Sequence, residues 1–277
     1  MPDGFTRIYS FRPPGGMPPE SFARLLRFGC LIAFLLLVSF MLQGIGSLLS
    51  SGFRLLVLIP VILVSLTFHE YAHARMADFL GDPTPERMGR LSLNPLAHLD
   101  FFGTLLLFFT NFGWAKPVIV DPSNFRVPQR AMLSVALAGP VSNFFLAFVG
   151  ALSLKGLAEL VKMTMLPPMP VFLLVQVLET LIVINLSLAL FNLLPIPPLD
   201  GSRVISYFLP GRYRAQYRQF EELAPMLLLI LFALGGLGLI LSPAIEAIYG
   251  MLLNLFNNPL RDLLIYLKTF SSGGSYY

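Results

Sequence analysis

Cysteine, histidine and charge are all scarce in this chain. Of its 277 residues one is cysteine, Cys30, so no intramolecular disulfide can form and nothing speaks for an oxidising compartment. Charged residues make up 12%, about half the share of a soluble domain, too few to cover a water-facing surface of this size. No basic cluster with interleaved aromatics occurs, which argues against a nucleic-acid partner; the net charge of +4 suits contact with anionic lipid head groups and the setting of topology. No internal repeat and no separate soluble domain is visible. What fills the chain is apolar: 56% of residues are hydrophobic, and the chain reads as an integral protein of the lipid bilayer.

Taken in order, residues 1–27 form a polar, Pro- and Gly-punctuated arm. A transmembrane domain follows over 28–257, with spans expected at 28–49, 55–80, 131–154, 171–194 and 223–241, and a shorter sixth at 243–256. Residues 258–277 read as a C-terminal tail. Between the second and third spans, 99–112 is apolar but too short to cross, so it is expected to re-enter or lie at the interface. Residues 113–121 place turn formers at both ends of a β-branched run and predict a short strand or hairpin at the membrane face. The fold class is therefore an all-α polytopic membrane protein of about six transmembrane helices with a small membrane-associated β-segment. With the N-terminus inside and six crossings, every basic residue except Arg54, Lys155 and Lys162 falls on the cytoplasmic side. A bacterial inner membrane is the expected location.

Against this background three ionisable groups stand out inside the second span: His69-Glu70-Tyr71-Ala72-His73. Polar groups at that depth are costly and usually functional. One helical turn separates the two histidines on one face, so both imidazoles can reach one metal ion, with Glu70 beside them to take a proton from water. The chain has three histidines and two lie here at ligand spacing. The plain alternative is a histidine pair satisfied by neighbouring helices.

A catalytic zinc needs a third protein ligand. The soluble patterns that would supply a histidine at 79, or a glutamate some 20 residues on, fail: Met76 and Phe79 stand at the first, and no glutamate occurs between Glu86 and Glu159. Asp200 is the best candidate, since Pro195, Pro197 and Pro198 unwind the backbone just before it, at the end of the fourth span. His98 and Asp100 compete with it, and a solvated Asp-Gly turn is the plain reading.

Four elements in order, His69 to His73, Asn94-Pro95-Leu96-Ala97-His98-Leu99-Asp100, Gly139-Pro140-Val141-Ser142-Asn143, and Asn192 to Gly201, resemble the site-2 protease family of intramembrane zinc metallopeptidases. The resemblance covers a catalytic core of about 55–201. It implies one zinc ion per chain held by His69, His73 and Asp200, and Glu70 activating water. It further implies Asn143 near the scissile carbonyl, and a transmembrane protein as substrate in regulated intramembrane proteolysis. Neither a PDZ insertion nor CBS domains fit the chain, so it resembles a compact member. A metal transporter or a non-proteolytic scaffold of the same ancestry are the competing functions.

Overall fold

A computed structural model describes residues 52–100, 116–164 and 166–272. The expected first span, the re-entrant stretch beyond residue 100 and residues 113–115 lie outside the described residues. The elements are α1 (Gly52–Phe79), the short helices α2 (Thr84–Arg87) and α3 (Pro95–His98), α4 (Pro128–Met163), α5 (Pro168–Asn192), α6 (Asp200–Phe208), α7 (Arg214–Ala233), α8 (Gly236–Leu255) and α9 (Pro259–Ser272). Four of them, α1 from Leu56, α4, α5 and α8, are long and apolar enough to cross a membrane.

Local chemistry sets the boundaries. Pro128 and Pro168 sit in the first turns of α4 and α5, where a missing N–H costs nothing. The run Pro195 to Pro198 prevents α5 from continuing, and Asp200 begins the next helix.

The core is an antiparallel bundle of α1, α4 and α5. Ala147, Ala151 and Ala158 on α4 let the α5 backbone approach, and Val171, Val175, Ile182 and Leu186 fill the seam. Lipid is as apolar as these side chains, so close packing of small residues, not burial from water, holds such helices together. Gly150 belongs to this seam: a Cβ there would press on Ile182 at 2.8 Å.

Two ends of the bundle can be told apart. At one, which we call the site end, Ala77 of α1 packs with Phe125, Ala131 and Val135, and Leu199 packs with Leu228 and Leu237. The far end carries α9, where Leu263 is buried among Leu157, Ala158 and Val161, Lys162 pairs with Asp262 at 2.7 Å, and the Tyr266 hydroxyl donates to the Leu166 carbonyl.

Two expectations are corrected. The apolar run 223–241 is not one span, because the chain turns at Gly235 with φ of 70° and its halves fall to α7 and α8. Because α8 runs from Leu237 at the site end to Leu253 at the far end, Arg261 and Lys268 lie with Lys162 and not with the site. Among the described residues none forms a strand: Leu99 makes an isolated bridge, and residues 116–121 join no ladder, although the Lys116 N–H donates to the His98 carbonyl at 2.7 Å. Glu179, expected to bond between helices, accepts from the Tyr249 hydroxyl of α8 at 3.0 Å.

Candidate metal centre

Three elements bring the site together. α1 presents His69 and His73 one turn apart, both buried. Their Nε2 atoms lie 3.0 Å from each other, and each lies 3.2 Å from Asp200 Oδ2 at the start of α6.

The protons follow from the opposite edges of the rings. His69 Nδ1 faces Asn143 Oδ1 at 2.6 Å and His73 Nδ1 faces the Val135 carbonyl at 2.7 Å, both on α4. Each Nδ1 therefore donates, and in that tautomer each Nε2 presents a lone pair. Those two lone pairs and a carboxylate oxygen converge with no hydrogen between them, and Asp200 Oδ2 is buried without a hydrogen-bond donor. Three acceptors at this separation repel unless a cation sits among them. Their spacing also matches a tetrahedral centre, in which bonds of about 2.0 Å place neighbouring ligand atoms about 3.3 Å apart. Among the described residues His69, His73 and Asp200 form the one group that could hold a metal ion.

Behind the centre runs a buried hydrogen-bond chain. Asn143 Nδ2 donates to Asn185 Oδ1 at 2.8 Å, and Asn185 Nδ2 donates to Ser65 Oγ at 2.8 Å. The Ser65 hydroxyl in turn donates to the Val61 carbonyl at 2.7 Å. Asn143 and Asn185 are both 0% exposed. The tautomer of His69 thus dictates the orientation of Asn143, and Asn185 locks it. The Asn143 amide hydrogens are engaged by Asn185 Oδ1 and the Ser65 carbonyl, so in this geometry it orients a ligand ring; the carbonyl-holding role implied by resemblance would need those hydrogens. Asn185 was visible in the sequence only as a polar residue at depth.

Gly139 is the other residue the sequence did not mark individually. A Cβ there would run into His73 Nε2 and lie 2.5 Å from His69 Cε1, so α4 can back both rings only because this residue lacks a side chain. Gly139→Ala is expected to push the imidazoles apart, costing about 1–3 kcal/mol of stability as overpacking does; thermal unfolding in detergent and bound-metal content measure both effects.

Glu70 is half-buried, and its Oε2 accepts from the Val118 N–H at 3.3 Å. His98 is 1% exposed and its Nε2 bonds the Ser92 carbonyl at 2.7 Å, away from the three convergent ligands. Asp100 is likewise outside that group.

Comparison with known proteins agrees with this chemistry. Residues 147–235 match the family described as Peptidase family M50. YwhC of Bacillus subtilis (strain 168), named as a candidate zinc metalloprotease, is 42% identical over 207 residues, 75% of this chain and 94% of YwhC. Rip2 of Mycobacterium tuberculosis, similarly named, is 30% identical over 61% of this chain and 64% of its own length. Rip2 of Mycolicibacterium smegmatis is 29% identical over 62% of this chain and 66% of its own. No solved structure matches. With a relative of this identity aligned over nearly its whole length, the chain belongs to peptidase family M50, the site-2 proteases.

Proposed function

We propose that this chain is an intramembrane zinc endopeptidase that hydrolyses peptide bonds in or near the transmembrane segments of other membrane proteins, as in regulated intramembrane proteolysis. One observation carries the reading. Two imidazole lone pairs and a carboxylate oxygen converge at 3.0–3.2 Å on a membrane-crossing helix that carries Glu70 between them.

His69, His73 and Asp200 would hold one zinc ion. Zinc in such a site lowers the pKa of a water molecule to about 7 and polarises a peptide carbonyl. The chain's own part is to supply and move the proton. Glu70 takes it from the attacking water as the new C–O bond forms, and delivers it to the amide nitrogen as the C–N bond breaks. Asn143 and Val135 accept from the two Nδ1–H groups, which fixes the tautomer and aims both rings. Asn143→Ala is expected to weaken zinc binding by about 10–100-fold, the usual effect of removing such a partner, as measured by competition with a fluorescent chelator.

A helical substrate hides its carbonyls in hydrogen bonds and must unwind before hydrolysis. Residues 116–121, which reach Glu70 through the Val118 N–H, offer an edge along which an unwound substrate could add as a strand, the use that the sequence suggested for residues 113–121. The proposed setting is a bacterial inner membrane with the site end cytoplasmic. The relatives are bacterial, and Arg75, Arg87, Arg90, Arg126, Arg130 and Arg203 belong to elements of that end. A transporter using these ligands would need others along a path across the bilayer.

The test is metal removal. Purified without chelators, the protein should carry about one zinc per chain and cleave single-span peptides in detergent. Chelation should abolish cleavage and stoichiometric zinc restore it. Cleavage that persists in excess chelator would refute the reading.

A further inference from the structure

Just beyond α1 lies a buried carboxylate that the mechanism above does not use. Asp82 is 0% exposed. Its Oδ1 accepts from the Thr84 N–H at 3.0 Å, the Thr84 hydroxyl at 2.6 Å and Asn124 Nδ2 at 2.7 Å; its Oδ2 accepts from the Asp121 N–H at 2.8 Å. All four donors are neutral. A buried charge is tolerated on neutral donors only when its lone pairs are well satisfied, and bonds to an ionised acceptor are the short, strong kind. Burial pushes the Asp82 carboxyl up, but the bonds from Thr84, Asp121 and Asn124 outweigh it and hold the carboxyl below the usual range.

Two of those donors, Asp121 and Asn124, belong to the segment that leads into α4. The same segment reaches the site at its other end, where the Val118 N–H meets Glu70. A further bond, from the Lys116 N–H to the His98 carbonyl at 2.7 Å, holds the start of the segment; the attachments at Glu70 and Asp82 differ in kind. At Glu70 there is a single bond of 3.3 Å, which an entering substrate can displace. At Asp82 the segment makes two shorter bonds, from the Asp121 N–H at 2.8 Å and Asn124 Nδ2 at 2.7 Å, to a carboxylate that Thr84 holds in place with two more.

We propose that Asp82 is a positioning residue: it pins the extended segment 116–121 to the helix that carries the metal ligands, and so fixes the register in which a substrate strand presents its carbonyls to the centre. This rests on reading the site as a protease. Residues along a strand are spaced about 3.3 Å apart, and a slip of one residue turns the wrong face inward. A reacting carbonyl tolerates far less displacement than that. An anchored segment therefore selects one peptide bond, and a loosened one lets neighbouring bonds compete.

The experiment uses the full-length chain in detergent and compares wild type, Asp82→Asn and Asn124→Ala. Hydrogen exchange by mass spectrometry reads the anchoring of residues 116–124, and mass analysis of the cleaved peptides reads the cut positions. Asp82→Asn keeps one acceptor oxygen for the Thr84 and Asn124 donors and sets an amide donor against the Asp121 N–H. It should speed exchange in this segment by roughly tenfold or more, leave bound zinc unchanged, and spread cleavage from one bond over its neighbours. Asn124→Ala removes one of the two bonds that tie the segment to Asp82 and should shift both readouts the same way by less; it keeps the test decisive if Asp82→Asn does not fold. Unchanged exchange overturns the proposal, and so does faster exchange with an unaltered single cut position. If the wild type cleaves nothing, the protease reading and the register role fall together, while exchange still decides whether Asp82 is the anchor.

Discussion

Replacing Glu70 by glutamine should leave zinc bound and lower the rate of peptide cleavage by about 10²–10⁴-fold. The side chain keeps its length and its ability to accept from the Val118 N–H, so the segment that rests on it need not move. Glutamine cannot take up a proton at neutral pH, however, and the attacking water then has no base. None of the three convergent ligand atoms belongs to Glu70, so metal content should match the wild type. Zinc quantification beside cleavage of a single-span peptide separates the two effects. Loss of zinc together with activity would mean that Glu70 is a ligand or a structural support. Unchanged cleavage would remove it from the chemistry.

Asp200→Ala should do the opposite and abolish metal binding first. It takes away the one charged member of the group, leaving two neutral imidazoles facing each other at 3.0 Å. Removing a mere supporting partner of a ligand costs about 10–100-fold in affinity, and removing an anionic ligand should exceed the upper figure. Cleavage should fall to background at zinc concentrations that saturate the wild type, and excess zinc should not restore it fully. The fold should survive, because Gly201 and not Asp200 lets α6 pack against the end of α5: a Cβ on Gly201 would collide with the Leu193 and Leu194 carbonyls. Circular dichroism of Asp200→Ala should therefore match the wild type while bound zinc disappears.

The parts of the site that follow from helical geometry were legible in the sequence. His69 and His73 share a face because they are one turn apart, and their depth follows from the uncharged residues before them. Asp200 could be singled out because three prolines end α5 just ahead of it. What sequence could not provide is what stands behind the rings. The Val135 carbonyl carries no side-chain signature, and nothing in the composition of α5 pairs Asn185 with Asn143 and Ser65. Gly139 stood within a motif whose steric purpose appears only when α4 lies on α1.

The fold was legible to the same extent. Hydropathy found α1, α4 and α5, whose apolar character is nearly continuous. It joined the end of α7 to the start of α8 because a turn at Gly235 leaves average hydropathy unchanged, though the adjacent Gly235 and Gly236 were a cue. The amphipathic α9 read as tail, since what fixes it is tertiary: Leu263 in the α4–α5 seam and Asp262 on Lys162.

The order in which the ligands occur along the chain has a consequence for biosynthesis. The histidines enter the bilayer with α1, whereas Asp200 is made only after α4 and α5 have brought in Val135, Asn143 and Asn185. Until then a nascent chain holds two imidazoles without the carboxylate that completes the group. The three-ligand group thus closes late, when the helices that back it already exist, and a nascent chain that lacks α6 holds no complete metal centre.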